Sequence, residues 1–312
     1  MIVWAAFLIL IFGLLALDLG VFNKKSHVVS FKEALGWTSL WVSLALLFSF
    51  VVFYLYSNGL VDNPENLTPK NAVIKYLTGY LVEQSLSMDN IFVIAVIFTY
   101  FQVPGQFQHR VLFWGILGAL FFRGVMIFVG VILLEKFAWM MYVFGGFLIY
   151  SAVKMLGSHD NVSLENNPAI KILRRVFPVS KDYDGDKFFV RKEGLLMATP
   201  LFVALMIVET TDIMFAFDSI PAIFAITRDP FLVFTSNIFA IMGLRSLYFV
   251  LAAIIDRFKY LKYSLVAILF FVGLKMIAHD WIHLPEWASL TFIIVSLGLG
   301  IGISLFSTRG KD

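Results

Sequence analysis

Apolar residues fall in blocks long enough to cross a bilayer, with polar residues gathered in the segments between them. The blocks lie at about 2–22, 38–57, 77–101, 111–134, 137–156, 195–226, 231–255, 263–280 and 286–306. An α-helix needs roughly 20 apolar residues to span the hydrocarbon core. In lipid each segment must satisfy its own backbone polar groups, so such blocks become helices. The pattern predicts an all-α polytopic membrane protein with about nine transmembrane helices, forming a single transmembrane domain over 1–312. Composition agrees, with 60% hydrophobic and 14% charged residues and a mean hydropathy of +0.87. A soluble domain carries about 25% charged residues.

The polar segments orient the bundle. With the N-terminus outside, the 23–37, 102–110, 157–193 and 256–262 segments and the C-terminus face the cytoplasm. These hold 16 of the 24 lysines and arginines, against four on the other side (Lys70, Lys75, Lys136, Arg228). Such an excess is what the positive-inside rule expects. The first block has no basic n-region and is too long for the apolar core of a signal peptide. It is read as a retained first helix, and a bacterial inner membrane as its setting. The chain has no cysteine, which excludes disulfides, thiolate catalysis and cysteine metal sites.

The remaining four basic residues, Arg123, Lys154, Arg245 and Lys275, lie inside the blocks. So do five acids: Glu83, Asp89, Glu209, Asp212 and Asp218, with Asp18 nearer the end of the first helix. A carboxylate in hydrocarbon costs about 2.5–3.5 kcal/mol even on lenient insertion scales, so these residues need partners or a task. Their order exposes an internal repeat. Glu83-x5-Asp89-Asn90-Ile91 matches Asp212-x5-Asp218-Ser219-Ile220. Gly118-x4-Arg123 echoes Gly243-Leu244-Arg245, and Lys154-Met155 before His159-Asp160 echoes Lys275-Met276 before His279-Asp280. Helices three to five (77–156) and six to eight (194–280) thus read as two copies, inverted by the topology, around a cytoplasmic 157–193 loop. Transporters built this way place their sites at the repeat interface near the midplane.

Carboxylates, Asn90, Ser219, Thr210 or Thr211, and any carbonyl freed by Pro221 make an oxygen ligand set. Oxygen suits Mg²⁺, Ca²⁺ and Mn²⁺; Met88 and Met214 would add softness that favours Mn²⁺, although a methionine in an apolar helix more often only packs. The symmetric expectation puts Asp89 and Asp218 at the centre of one site, with Glu209 and Asp212 next in line. Glu209 and Asp218 lie on opposite faces of an unbroken helix at about 100° per residue. Either the helix unwinds near Pro221 or the two acids do different jobs, one holding a cation and another pairing with Arg123 or Arg245. Ion pairs that only fix helix register are the plainer alternative.

The 157–193 loop adds two patterns. Residues 168–177 place Ile170, Leu173 and Phe177 on one helical face beside Lys171, Arg174 and Arg175, as in an interfacial helix. Asp182, Asp184, Asp186 and Glu193 fit positions 1, 3, 5 and 12 of a calcium loop, although Lys187 takes the glycine position.

Taken together, Glu209-x2-Asp212-x2-Phe215-Ala216-x-Asp218-Ser219-Ile220-Pro221-Ala222 and Ser236-Asn237-x-Phe239-Ala240-Ile241-x-Gly243-Leu244-Arg245 resemble the signature of the TerC family of integral membrane proteins. Glu83-x-Ser85-Leu86-Ser87-x-Asp89-Asn90 is similar to its first acidic motif. The likeness runs from about Lys32 to Asp280 and is nearest the bacterial Alx branch. That branch implies manganese export; the family name comes from tellurite resistance, and related thylakoid proteins imply help with membrane-protein insertion.

The expectation is a secondary transporter, not an enzyme, that exports manganese(II) as substrate without a cofactor. The chain has no Gly-x4-Gly-Lys-Ser/Thr phosphate loop, so protons are the expected coupling ion. A divalent cation, protons and lipid are the expected partners, with no nucleic acid. The rival is a non-transporting insertion or tellurite-resistance scaffold. No Gly-x-Gly-Asp element supports an intramembrane aspartyl protease.

Overall fold

A hydroxyl or carboxylate next to a proline starts three of the long helices. Thr68 precedes Pro69 and accepts the Asn71 amide at 3.3 Å, Thr199 precedes Pro200 and accepts the Phe202 amide at 3.4 Å, and Asp229 precedes Pro230 and accepts the Phe231 amide at 3.0 Å. Each cap satisfies an orphan amide, and proline at the first helical position has no amide to lose. The computed structural model describes residues 2–17, 29–137, 139–157, 178–180, 182–192, 195–252, 260–278, 281 and 284–308. The side chains of Asp89, Lys192 and Leu305 lie outside that description.

Nine helices are present among the described residues: α1 (Ile2–Leu17), α2 (Phe31–Ser57), α3 (Pro69–Tyr100), α4 (Gly105–Lys136), α5 (Met140–Gly157), α6 (Pro200–Phe224), α7 (Pro230–Ala252), α8 (Leu261–Ile277) and α9 (Glu286–Thr308). They coincide with the nine apolar blocks. Seven, α2 to α7 and α9, are long and apolar enough to cross a membrane. At 1.5 Å per residue, α1 and α8 reach about 24–26 Å, short of the roughly 30 Å hydrocarbon core.

The block expected as one helix from 195 is divided. Leu195–Ala198 forms strand β2, antiparallel to β1 (Phe189–Lys192), and α6 starts only at Pro200. The cause is local: a residue before proline is pushed out of the helical region, and Thr199 is extended at φ −83° and ψ 162°. At the other end, α6 runs through Pro221 to Phe224 without unwinding. The segment 168–177, expected as an interfacial helix, together with Asp18, Glu193 and the histidines His159, His279 and His283, lies outside the described residues.

The helix at the centre is α7. Its most apolar window is 89% buried, and it packs against α2, α3 and α4. α3 also meets α6, α4 packs on α6, and α9 lies over α8 and α3. The α5–α8 pair crosses backbone to backbone. A Cβ added to Gly145 would stand 3.0 Å from the Gly273 carbonyl oxygen, and one on Gly273 would stand 2.9 Å from that of Gly145. Small residues permit such approaches between helices in lipid, where packing replaces the hydrophobic drive.

Candidate functional site

Arg123 of α4 is 1% exposed and is the largest fully buried side chain among the described residues. Its guanidinium pairs with Glu83 of α3 and, at 3.3 Å, with Asp212 of α6. It also donates to Ser219 Oγ of α6 and Asn237 Oδ1 of α7, each at 3.0 Å. Four helices therefore meet on one side chain. Ser87 donates to Glu83 at 3.3 Å, one turn further along α3.

The cluster is not electrically or chemically complete. Glu83 Oε2, Asp212 Oδ2 and Glu209 Oε2 are buried and take no hydrogen bond from the protein. Glu209 sits one turn before Asp212, and its carboxylate fills the space that a Cβ on Gly118 of α4 would occupy. A methyl group at 118 would make that carboxylate shift. Asn90, Thr211, Asp212 and Arg245 line a cavity of about 20 Å³. That is enough for about one water-sized occupant.

Asp218 faces elsewhere. It accepts a 2.5 Å hydrogen bond from Ser151 of α5, and both line a cavity of about 490 Å³ together with Asn90, Lys154, Met214 and Ser219. Because α6 stays helical, Glu209 and Asp218 serve different neighbours: Glu209 turns to α4, Asp218 to α5. Asn90 lines both cavities, and Ser219 links the larger one to Arg123.

Residues 68–312 match the integral membrane protein TerC family. The chain belongs to the TerC family. It is accordingly an integral, multi-pass membrane protein. A Myxococcus xanthus relative, the uncharacterized membrane protein STKORF319, is 50% identical over 307 residues, covering 98% of this chain and 92% of that one. A membrane protein of Rickettsia bellii (strain RML369-C) is 45% identical over 310 residues, 99% of each chain. The Escherichia coli (strain K12) protein provisionally named membrane-bound redox modulator Alx is 44% identical over 304 residues, covering 97% of this chain and 91% of that one. No solved structure matches.

In this TerC chain the predicted site residues divide into groups. Glu83, Asp212, Ser219 and Arg123 meet directly; Asn90, Asp212 and Arg245 share the small cavity; Asn90, Asp218, Ser219 and Lys154 share the larger one. The Asp89 side chain, half of the expected symmetric centre, lies outside the description. Among the described residues no three Asp, Glu or His side chains close into a cage for an ion. Met214 lines the larger cavity, whereas Met88 packs in the α3–α4–α6–α7 core.

Lys275 goes to a second polar cluster instead. It donates to Ser289 at 3.0 Å and lies 3.9 Å from Glu286. Glu286 also pairs with Lys75 at 3.3 Å, and Lys75 with Glu65 at 2.6 Å. Glu65 accepts from Thr227 at 3.2 Å, and Tyr56 donates to Asp229 at 2.7 Å. Burial lifts the Asp229 carboxyl above its ordinary value, against the lowering effect of bonds from Tyr56 and the Leu232 and Phe231 amides. In the 178–192 segment, Asp184 pairs with Lys187 and Asp186 with Arg110, so these acids are already partnered by cations.

Sequence reading assigned no role to Asn237 or Ser87. Both are polar residues in apolar helices, but periodicity cannot say which of many such residues face one another. Gly118 was visible only as a repeat marker.

Proposed function

We propose that this protein is a secondary transporter that exports manganese(II) from the cytoplasm in exchange for protons, with the N-terminus outside and the C-terminus inside a bacterial inner membrane. The carrying observation is that Glu83 and Asp212 share Arg123, with Glu209 one turn before Asp212, and that each of the three acids keeps one buried oxygen without a hydrogen bond from the protein. Burying carboxylates in this way is costly for a scaffold. It suits a carrier, because crowded carboxylates in low dielectric exchange a metal for protons. Moving a divalent cation out against about 100 mV costs about 4.6 kcal/mol, at about 2.3 per charge, and inward protons are the simplest source.

The main helix contacts fit a 3+3 repeat, whose inversion follows from the proposed topology. Exchanging α3 with α6, α4 with α7 and α5 with α8 maps the α3–α7 contact onto α4–α6 and leaves α5–α8, α3–α6 and α4–α7 unchanged; all five contacts are present. The relative's name points to redox balance. With no cysteine, this chain has no thiol of its own to exchange, and control of a redox-active metal ion is a route that needs none.

One observation favours the rival scaffold reading. Tyr150, Met214 and Phe217 on the rim of the larger cavity are exposed, so its polar floor is reachable by a segment of another protein. Sealed vesicles separate the readings. Reconstituted protein should move Mn²⁺ when a proton gradient is imposed and stop when it is collapsed, and Asp218→Asn should abolish the flux at normal insertion levels. Mn²⁺ flux indistinguishable from that of protein-free vesicles would leave the scaffold reading standing.

A further inference from the structure

We infer that Arg123 is a built-in counter-cation that competes with the transported divalent cation for Glu83 and Asp212, holding the two carboxylates whenever cargo is absent. The inference rests on the transport reading and deepens it.

Four observations carry it. Every group that holds the guanidinium offers oxygen: Glu83, Asp212, Ser219 and Asn237. That shell is the kind a hard divalent cation takes. One positive charge faces two carboxylates, so Arg123 with Glu83 and Asp212 carries a net negative charge, whereas a purely structural pair would balance. Each of the two carboxylates keeps one oxygen without a protein donor. The guanidinium is held through Nη1 and Nη2 only, while Nε is buried without a partner. Arginine offers five donors, so this grip leaves part of its capacity unused.

The consequence is a mutually exclusive occupancy. With Arg123 seated between them, the carboxylates do not close into a cage, consistent with the absence of any such cage among the described residues. A divalent cation that takes both carboxylates must displace the guanidinium. When it leaves, Arg123 returns and neutralises one carboxylate, and protons balance the other.

Equilibrium binding of Mn²⁺ to the purified full-length protein, read from the free-ion paramagnetic resonance signal, tests this. Arg123→Gln removes the competitor, and the dissociation constant is expected to fall about tenfold or more, a decade being ~1.4 kcal/mol. Arg123→Lys keeps the charge but loses the planar fork, and is expected to bind between wild type and Arg123→Gln. Folded Arg123→Gln protein that binds Mn²⁺ no more tightly than wild type would overturn the inference and leave transport intact. If Arg123→Gln is not recovered folded, Arg123→Lys decides in the same way. Absence of Mn²⁺ binding by wild type and both variants would remove the inference and the manganese reading together.

Discussion

Glu83 and Asp212, each six residues before the second acid of its motif, meet on the single guanidinium of Arg123. They hold matching positions in two similar acidic motifs. The pair that the tertiary structure brings together is thus the first acid of each motif.

The charge count makes the cluster asymmetric to mutation. Glu83→Gln or Asp212→Asn leaves a balanced pair with Arg123 and should cost about 1 kcal/mol, the scale of one hydrogen bond. Arg123→Gln removes the cation that Glu83 and Asp212 share and should cost about 3–5 kcal/mol. Thermal melts in detergent would rank the three variants. Equal losses would contradict the charge arithmetic.

Gly118→Ala should displace the Glu209 carboxylate, because the added methyl takes its place. The atoms that must move are the end of a flexible side chain, so the cost to stability should be small, while Mn²⁺ flux should fall. Gly146→Ala is the matched control, since nothing lies within 4 Å of its Cβ position. A stable, fully active Gly118→Ala protein would show that Glu209 is free to sit elsewhere.

Asp229 gives a pH signature. Its carboxyl is held above the ordinary value in the folded state, mainly by burial. A raised folded value contributes stability at low pH that is lost as pH rises through it. Compared with wild type, Asp229→Asn should therefore gain in melting temperature from about pH 4 upward, since the unfolded value is about 3.9. A difference that moves the other way would reverse the assignment.

Orientation has its own test. A single cysteine at Arg175, in this cysteine-free chain, should be labelled by an impermeant thiol reagent only after cells are permeabilised. Labelling in intact cells would invert the topology and remove export as the direction of transport.

Much of the architecture was legible because a membrane span is a one-dimensional property. Length and hydropathy alone placed each helix found among the described residues. The exception at 195–198 is itself local: Pro200 bars helix at Thr199 and gives the apolar residues before it to a strand. Which residues carry charge inside the apolar blocks was equally legible, because charge in hydrocarbon is expensive enough to stand out one residue at a time.

Pairing was not legible. Nothing in the spacing of Lys154 and Lys275 distinguishes them, yet Lys154 lines the cavity of Asp218 while Lys275 turns to Glu286 and Ser289. Nor does spacing say whether α6 unwinds at Pro221; packing of a buried proline inside a continuous helix decided that. The sequence by itself determined a multi-pass helical membrane protein and the roster of charges inside its apolar blocks. Only the tertiary structure decided that Arg123 collects Glu83 and Asp212 while Asp218 stands apart with Ser151. A side chain's cost in lipid depends on its own chemistry, whereas its partner depends on how rigid helices rotate and cross.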